Sequence, residues 1–295
     1  MMRTFLILLM VSLSGIITAD TIVHREKSLY RNILVFEYEG QRCMNFTYDP
    51  IRFQEQSCFL LENPDYPVHF YSQAIMTGIC YHPSPFRVLI IGLGGGVIAR
   101  NLSTLLPNAV IDSVEIDPAV TRIAEEYFLY RPDGKTQRSH NADGRIFIKR
   151  ALLKNEKWDW IILDAFNSDY IPEHLMTEEF LTEVKAALNP GGLITANTFS
   201  DSALFHSENA TYHKVFGDVH QLTHPTESNR ILFYRLGGWK NNDSGAALRQ
   251  QCQSAFERLQ LDISPILKTE QALPAWPEGT RILTDQYAPV NLLKD

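Results

Sequence analysis

Val88-Leu89-Ile90-Ile91-Gly92-Leu93-Gly94-Gly95-Gly96 is an apolar run that ends in glycines, and its reading decides the fold. Two later runs share the form, Val114-Glu115-Ile116-Asp117 and Ile161-Ile162-Leu163-Asp164. Each is a candidate buried strand ending in a glycine turn or a carboxylate. In an open α/β sheet, ligands bind outside the carboxyl ends of the strands. Gly92 to Gly96, Glu115 and Asp164 therefore belong around one crevice, with the character of a nucleoside site and an extra acid beside it.

Outward from that stretch, apolar runs alternate with amphipathic patterns. Strands are expected near 88–92, 111–116, 160–164 and 192–197, with one more ahead of Asp143, and helices near 96–106, 118–128, 144–153 and 177–188. Such alternation gives a mostly parallel sheet with helices on both faces. Asn189-Pro190-Gly191-Gly192 stops the last of these helices. Val215 to Leu222 and Arg230 to Tyr234, joined through His224-Pro225, are expected to pair as a hairpin on the sheet edge. A closing hairpin of this kind resembles the class I methyltransferase-like (Rossmann-like) α/β fold, and a seven-stranded sheet is expected. Upstream, 32–38, 42–46 and 52–54 read as a small antiparallel sheet, followed by a helix over Val68 to Cys80. A further helix is expected over Gly245 to Leu259. The chain then divides into residues 1–19 as a signal peptide or anchor, 20–80 as the β region with its connecting helix, 81–240 as the nucleoside-binding catalytic domain, and 241–295 as a helix and tail packed on it.

Composition narrows the function. With 295 residues and 45% hydrophobic content the chain can bury a sizeable core. A formal charge of -7 argues against a nucleic-acid partner, which needs clustered Lys and Arg. Arg3, the apolar run Phe5 to Ile17, and Thr18-Ala19 read as a signal peptide cleaved after Ala19, hence an exported protein. The alternative is an uncleaved anchor, and only then is a membrane a partner. Cys43, Cys58, Cys80 and Cys252 allow three fully paired connectivities in an oxidising compartment. Their apolar contexts read first as buried thiols, with Cys43–Cys58 admitted as a bridge between neighbouring strands. No Cys/His spacing suits zinc, and no metal is expected.

The site is read group by group. Gly92, Gly94 and Gly96 at a strand-to-helix turn let the backbone approach a ligand. Glu115, about twenty residues on, is placed to accept both ribose hydroxyl protons. Asp143-Gly144 could meet an adenine amino group or simply cap a helix. Asp117 before Pro118 reads as a cap without a binding role. Asp164, ending an apolar strand, is a candidate general base or holder of a cationic amine. Asp169 offers a second carboxylate, though a solvated loop acid is its simpler role, and His174 is a candidate pocket residue.

These residues resemble the spermidine synthase family of polyamine aminopropyltransferases, and especially its bacterial spermidine-synthase-like branch. The resemblance runs from about Leu29 to Asn197, through Ser28-Leu29-Tyr30-Arg31-Asn32-Ile33, the Tyr71 helix, Gly92 to Gly96, Val114 to Asp117, Asp143-Gly144, Leu163-Asp164 and Thr177-Glu178-Glu179-Phe180. It implies that Gly92, Gly94, Gly96, Glu115, Asp143 and Gly144 bind decarboxylated S-adenosylmethionine. It implies that Asp164 activates a small-molecule amine, that Tyr71, Gln73 and Asp169 contact that amine, and that the N-terminal strands carry a homodimer contact. Three places depart from the family. Gly95 stands where active members carry the Asp that holds the donor's free amine, and Leu93 replaces a glycine. Tyr71-Ser72-Gln73 stands for Tyr-His-Glu. Asp164-Ala165-Phe166-Asn167-Ser168-Asp169 stands for an Asp-Ser-Thr-Asp-Pro loop. Leu283 to Val290 looks like the close of spermidine-synthase-like domains fused to membrane segments. Two alternatives stay open: methyl transfer from S-adenosylmethionine, and a non-catalytic protein that binds a polyamine or nucleoside.

Overall fold

In the glycine-ended strand, Val88 and Ile90 enter one buried cluster while Leu89 and Ile91 enter another. Side chains alternate across a strand, so a run that is apolar throughout must be covered on both faces. The structure, a computed structural model, describes residues 21–47, 55–166, 170–239 and 252–288. The strand is β5 (Arg87–Ile91), central to an eight-stranded sheet. It is preceded by β1 (Thr21–Lys27), β2 (Asn32–Tyr38), β3 (Gln41–Asn45) and β4 (Glu55–Leu60), an antiparallel sheet in sequence order. Two short helices, α1 (Phe70–Met76) and α2 (Gly78–Tyr81), connect the sheets.

After β5 come α3 (Val97–Leu105), β6 (Val110–Glu115), α4 (Pro118–Tyr127), β7 (Gln137–Asn141), α5 (Gly144–Leu153) and β8 (Trp158–Leu163). Then follow α6 (Glu178–Ala186), β9 (Leu188–Phe199), α7 (Phe205–Phe216), β10 (His220–Thr223), β11 (Asn229–Arg235) and β12 (Gln271–Ala272). The sheet order is β12-β10-β11-β9-β8-β5-β6-β7. The β9-β8-β5-β6-β7 neighbours are parallel, and β11, β10 and β12 join antiparallel. The helix starts follow the local chemistry. Asp117 accepts from Ala119 N, Asp143 from Ile146 N, and the Thr177 hydroxyl from Phe180 N.

The sheet gains an eighth strand, because Gln271–Ala272 of the tail pairs with β10. Val215 and Phe216 close α7 rather than opening a strand. Tyr212 and Phe216 pack one turn apart into the core under Tyr234, so helical spacing buries them where an extended chain would not. The small sheet gains β1, whose mixed residues lack an apolar alternation. Its last strand begins at Glu55, and the expected 52–54 run lies outside the described residues, as do residues 1–19 and Asp169. The helix expected from Gly245 is described only from Cys252, where 252–256 are helical and Glu257–Leu259 form a 3-10 turn.

The four cysteines are paired rather than buried thiols, the admitted Cys43–Cys58 bridge among them. Cys43–Cys58 and Cys80–Cys252 are both disulfides, the first across paired positions of β3 and β4, the second tying α2 to the C-terminal region. The second bridge joins residues 172 apart, which sequence spacing could not announce. The closing Leu283–Tyr287 motif is a latch. Asp285 takes two hydrogen bonds from Arg145 at 2.6 and 2.8 Å and one from Thr177 at 2.7 Å, while Leu283 is fully buried. Among the described residues no helix is long and apolar enough to cross a membrane.

Candidate active site

Outside the carboxyl ends of β5, β6, β8 and β9 lies a cleft of about 840 Å³, within the range of small-molecule sites. Gly92, Gly94, Glu115, Asp143, Gly144, Asp164 and Tyr71 all line it. Gly96 lies just behind, opening α3 in a left-handed conformation with φ 71°. A Cβ there would meet the Tyr130 ring at 2.8 Å, and one on Gly92 would meet the Asp164 carbonyl at 2.2 Å. The turn therefore needs glycine at 92 and 96 for packing as well as for any ligand.

Glu115 is nearly buried at 6% exposure and is held from both sides. One oxygen accepts from Leu93 N at 3.1 Å and the other from Asp117 N at 3.0 Å. Burial pushes its carboxyl up, and the backbone bonds and the nearby Arg31 pull against that. A carboxylate has about four acceptor positions, so each oxygen keeps capacity for a ligand hydroxyl. Asp143 uses one oxygen to cap α5 and pairs the other with His174 Nε2 at 2.7 Å, and that histidine holds its carboxyl below the usual range. The cap and the cleft-lining position are held at once by one side chain. This set fits an adenosine: a hydroxyl-accepting acid, a polar pair beyond it, and bare backbone between.

Asp164 lines the cleft just past the end of β8. Its Oδ1 accepts from Asn197 Nδ2 at 2.9 Å, and burial pushes the carboxyl up to about 7 with only that bond opposing. A carboxyl poised there can take or give a proton near neutrality. Beside it, the Tyr71 hydroxyl donates to the Gln56 carbonyl at 2.7 Å, and burial raises its phenol, so it stays neutral. His69 stacks on Tyr71 and is pushed down to about 4 by burial, so it is neutral too.

Gln73 does not join the site. Its amide donates to the Pro67 carbonyl at 2.8 Å and it is absent from the cleft lining, because a helix turns residues two apart to different faces. Gly95 departs for a steric reason. A Cβ there would meet the Phe128 ring at 2.6 Å and Ser57 Cβ at 3.0 Å, and its N–H donates to Ser57 Oγ at 2.9 Å. The space for a side chain at 95 is filled by α4's end and by β4.

The residues that sequence reading did not assign are Arg31, Ser57, His69 and Asn197. Arg31 lies over the Phe46 ring at 4.3 Å, donates to the Phe166 carbonyl at 3.1 Å and approaches Asp117 at 3.9 Å. Only Arg31 carried a signal, as part of the Ser28 to Ile33 segment. Glycosylation sequons at Asn45, Asn101 and Asn209 are buried at 1% exposure or less, which makes them packing residues.

Comparison with known proteins follows the same lines. The model of the spermine/spermidine synthase domain matches residues 68–242. A polyamine aminopropyltransferase of Vibrio vulnificus is 44% identical over 282 residues, 93% of this chain and 92% of its own. Among solved structures, a probable spermidine synthase from Corynebacterium glutamicum superimposes with a TM-score of 0.69 at 20% identity, covering 90% of this chain and 97% of that one. Human methyltransferase-like protein 13, solved with SAH, gives a TM-score of 0.55 at 24% identity, covering 75% of this chain and all of that one. The last two show the shared fold.

Proposed function

The chain belongs to the spermine/spermidine synthase family, and from that premise we propose that it moves an aminopropyl group from decarboxylated S-adenosylmethionine to a small amine. The observation that carries the reading is Asp164, a half-buried carboxyl pushed to about 7 on the β8 side of a cleft whose other end fits a nucleoside. Glu115 holds the ribose hydroxyls, Asp143 with His174 borders the adenine, and the glycine turn brings backbone against the donor. The donor supplies a carbon made electrophilic by its positive sulfur. An ammonium ion has no lone pair, so Asp164 takes its proton. A C–N bond then forms as the C–S bond breaks, and sulfur keeps the electron pair. No metal enters this scheme.

One observation favours a second reading, methyl transfer from intact S-adenosylmethionine. Position 95 has no room for the acid that family members aim at the donor amine. The test is incubation of the disulfide-intact protein with either sulfonium donor and a mixture of diamines, followed by mass spectrometry. Aminopropylated amine from the decarboxylated donor is expected. Methylated product from intact donor alone would replace the first reading with the second, and saturable amine binding without product would favour a binding protein.

We also propose export. Two disulfides that consume all four cysteines suit an oxidising compartment, in line with the apolar segment Phe5 to Ile17. Fractionation of cells with N-terminal sequencing tests it, cleavage after Ala19 being expected and retention in the cytosol ruling it out. A homodimer through the N-terminal strands is proposed on the family resemblance, and sedimentation of the purified protein tests it.

A further inference from the structure

We propose that Asn229 is a positioning residue for Asp164, acting through Asn197. Asn229 opens β11 and its Nδ2 donates to Asn197 Oδ1 at 2.9 Å, while Asn197 Nδ2 donates to Asp164 Oδ1 at 2.9 Å. A side-chain amide can be turned end for end at little steric cost, so its orientation is decided by what faces its two ends. With an N–H donor fixed on its oxygen, Asn197 presents its NH₂ end to Asp164. One carboxylate oxygen is thereby occupied, and the other is left for the amine. If Asn197 turned, its oxygen would face the carboxylate, favour the protonated acid and disable the base.

The surroundings give this relay its weight. Tyr71 and His69 on the α1 side are neutral, as described above. On the β5 side the Asp164 backbone N–H donates to the Ile91 carbonyl at 2.8 Å, and its own carbonyl lies against Gly92. Arg31 reaches the Phe166 carbonyl and acts on Glu115 instead. The guanidinium of Arg230, next to Asn229, is turned away to Thr198, Asn209 and Glu208. Asn197 is therefore the group that opposes burial at Asp164, and Asn229 decides which end of it does so.

This inference rests on Asp164 being the base, so the experiment reads the two separately. The midpoint of Asp164 is followed by carboxyl carbon NMR without substrate, and the acid limb of kcat/KM is followed in parallel. Asn229→Leu, uncharged and of similar size, should raise the midpoint by about half a pH unit, the worth of a weakened hydrogen bond to a charged group. Asn229→Asp, which accepts but cannot donate once ionised, should turn Asn197 and raise it by about one pH unit or more. Asn229→Ser restores a donor and should return the midpoint toward that of the native protein. An unchanged midpoint in Asn229→Leu overturns the relay, whatever Asn229→Asp does through its added charge. Should Asn229→Leu not fold, a midpoint in Asn229→Ser raised as far as in Asn229→Asp overturns it equally. If the midpoints move as expected while the acid limb of kcat/KM stays put, the relay stands and the base role of Asp164 falls.

Discussion

At the β6–β7 end of the cleft the acids are anchored largely by backbone, whereas at the β8–β9–β11 end the acid is anchored by other side chains. Glu115 is gripped by two backbone N–H groups and Asp143 by one, all within three residues or on the adjoining turn. Asp164 depends on Asn197, which depends on Asn229, and behind them the fully buried Arg230 ties Thr198, Asn209 and Glu208 together. The Asp117 and Ile146 donors are positioned as soon as the local turn forms, and the Leu93 donor once β5 and β6 pair. Side-chain relays exist only once β9, β11 and α7 have come together. The donor end is thus a property of the turns, and the reacting end a property of the assembled sheet.

The largest effect that tests this contrast is Asp164→Asn. Loss of a general base is expected to lower kcat roughly a thousandfold. Donor affinity, read by calorimetry, should stay within about twofold, because the bonds at Glu115 are independent of Asp164. A parallel loss of donor binding would show that the two ends are one unit. Next is Arg230→Met, which leaves Glu208 buried without its partner and should cost about 3 kcal/mol or more in chemical denaturation. If stability were unchanged, the reacting end would not rest on that ion pair. Smaller again is Glu115→Gln, where losing charge-assisted acceptors should weaken donor affinity about tenfold to thirtyfold while kcat at saturation holds.

The same division explains how far the sequence could be read. Gly92 to Gly96 and Asp164 were legible because each follows an apolar run, Glu115 by its spacing from the glycine turn, and Asp143 by its place at a helix start, where the chain itself carries a strand end to the cleft. Asn197, Asn229 and Ser57 sit in strands where a polar residue gives no sign of which face or partner it meets. Ser57 reaches the glycine turn because Gly95 N–H lands on it, 38 residues away. Gln73 was misplaced because a family pattern gives residue type without helix phase. The cysteines were underread for a related reason. Cys43 and Cys58 become opposite only after the β3–β4 register is set, a register that slips by one residue between Met44 and Asn45. The eighth strand was hidden because two exposed residues, Gln271 and Ala272, carry no periodicity at all.

The smallest effect is also the one where the two ends should differ in sign. Burial raises Asp164 from 3.8 in the unfolded chain to about 7. Between those values the folded protein keeps a proton that the unfolded chain has released, so stability falls as pH rises through about 7. The favourable contribution is full below about pH 4, and above 7 the fold carries a half-buried charge opposed by one amide. Asp164→Asn removes that charge and keeps the shape. At pH 8 its melting temperature should therefore exceed the native protein's by a few degrees, on the order of 1 to 2 kcal/mol, with the gap closing toward pH 5. Glu115→Gln should go the other way at pH 8. Glutamine has one acceptor oxygen for two backbone donors, so either Leu93 N–H or Asp117 N–H is left facing an NH₂ group. If both variants melted higher, backbone anchoring would offer Glu115 no more support than the side-chain relay offers Asp164, and the contrast between the two ends would be lost.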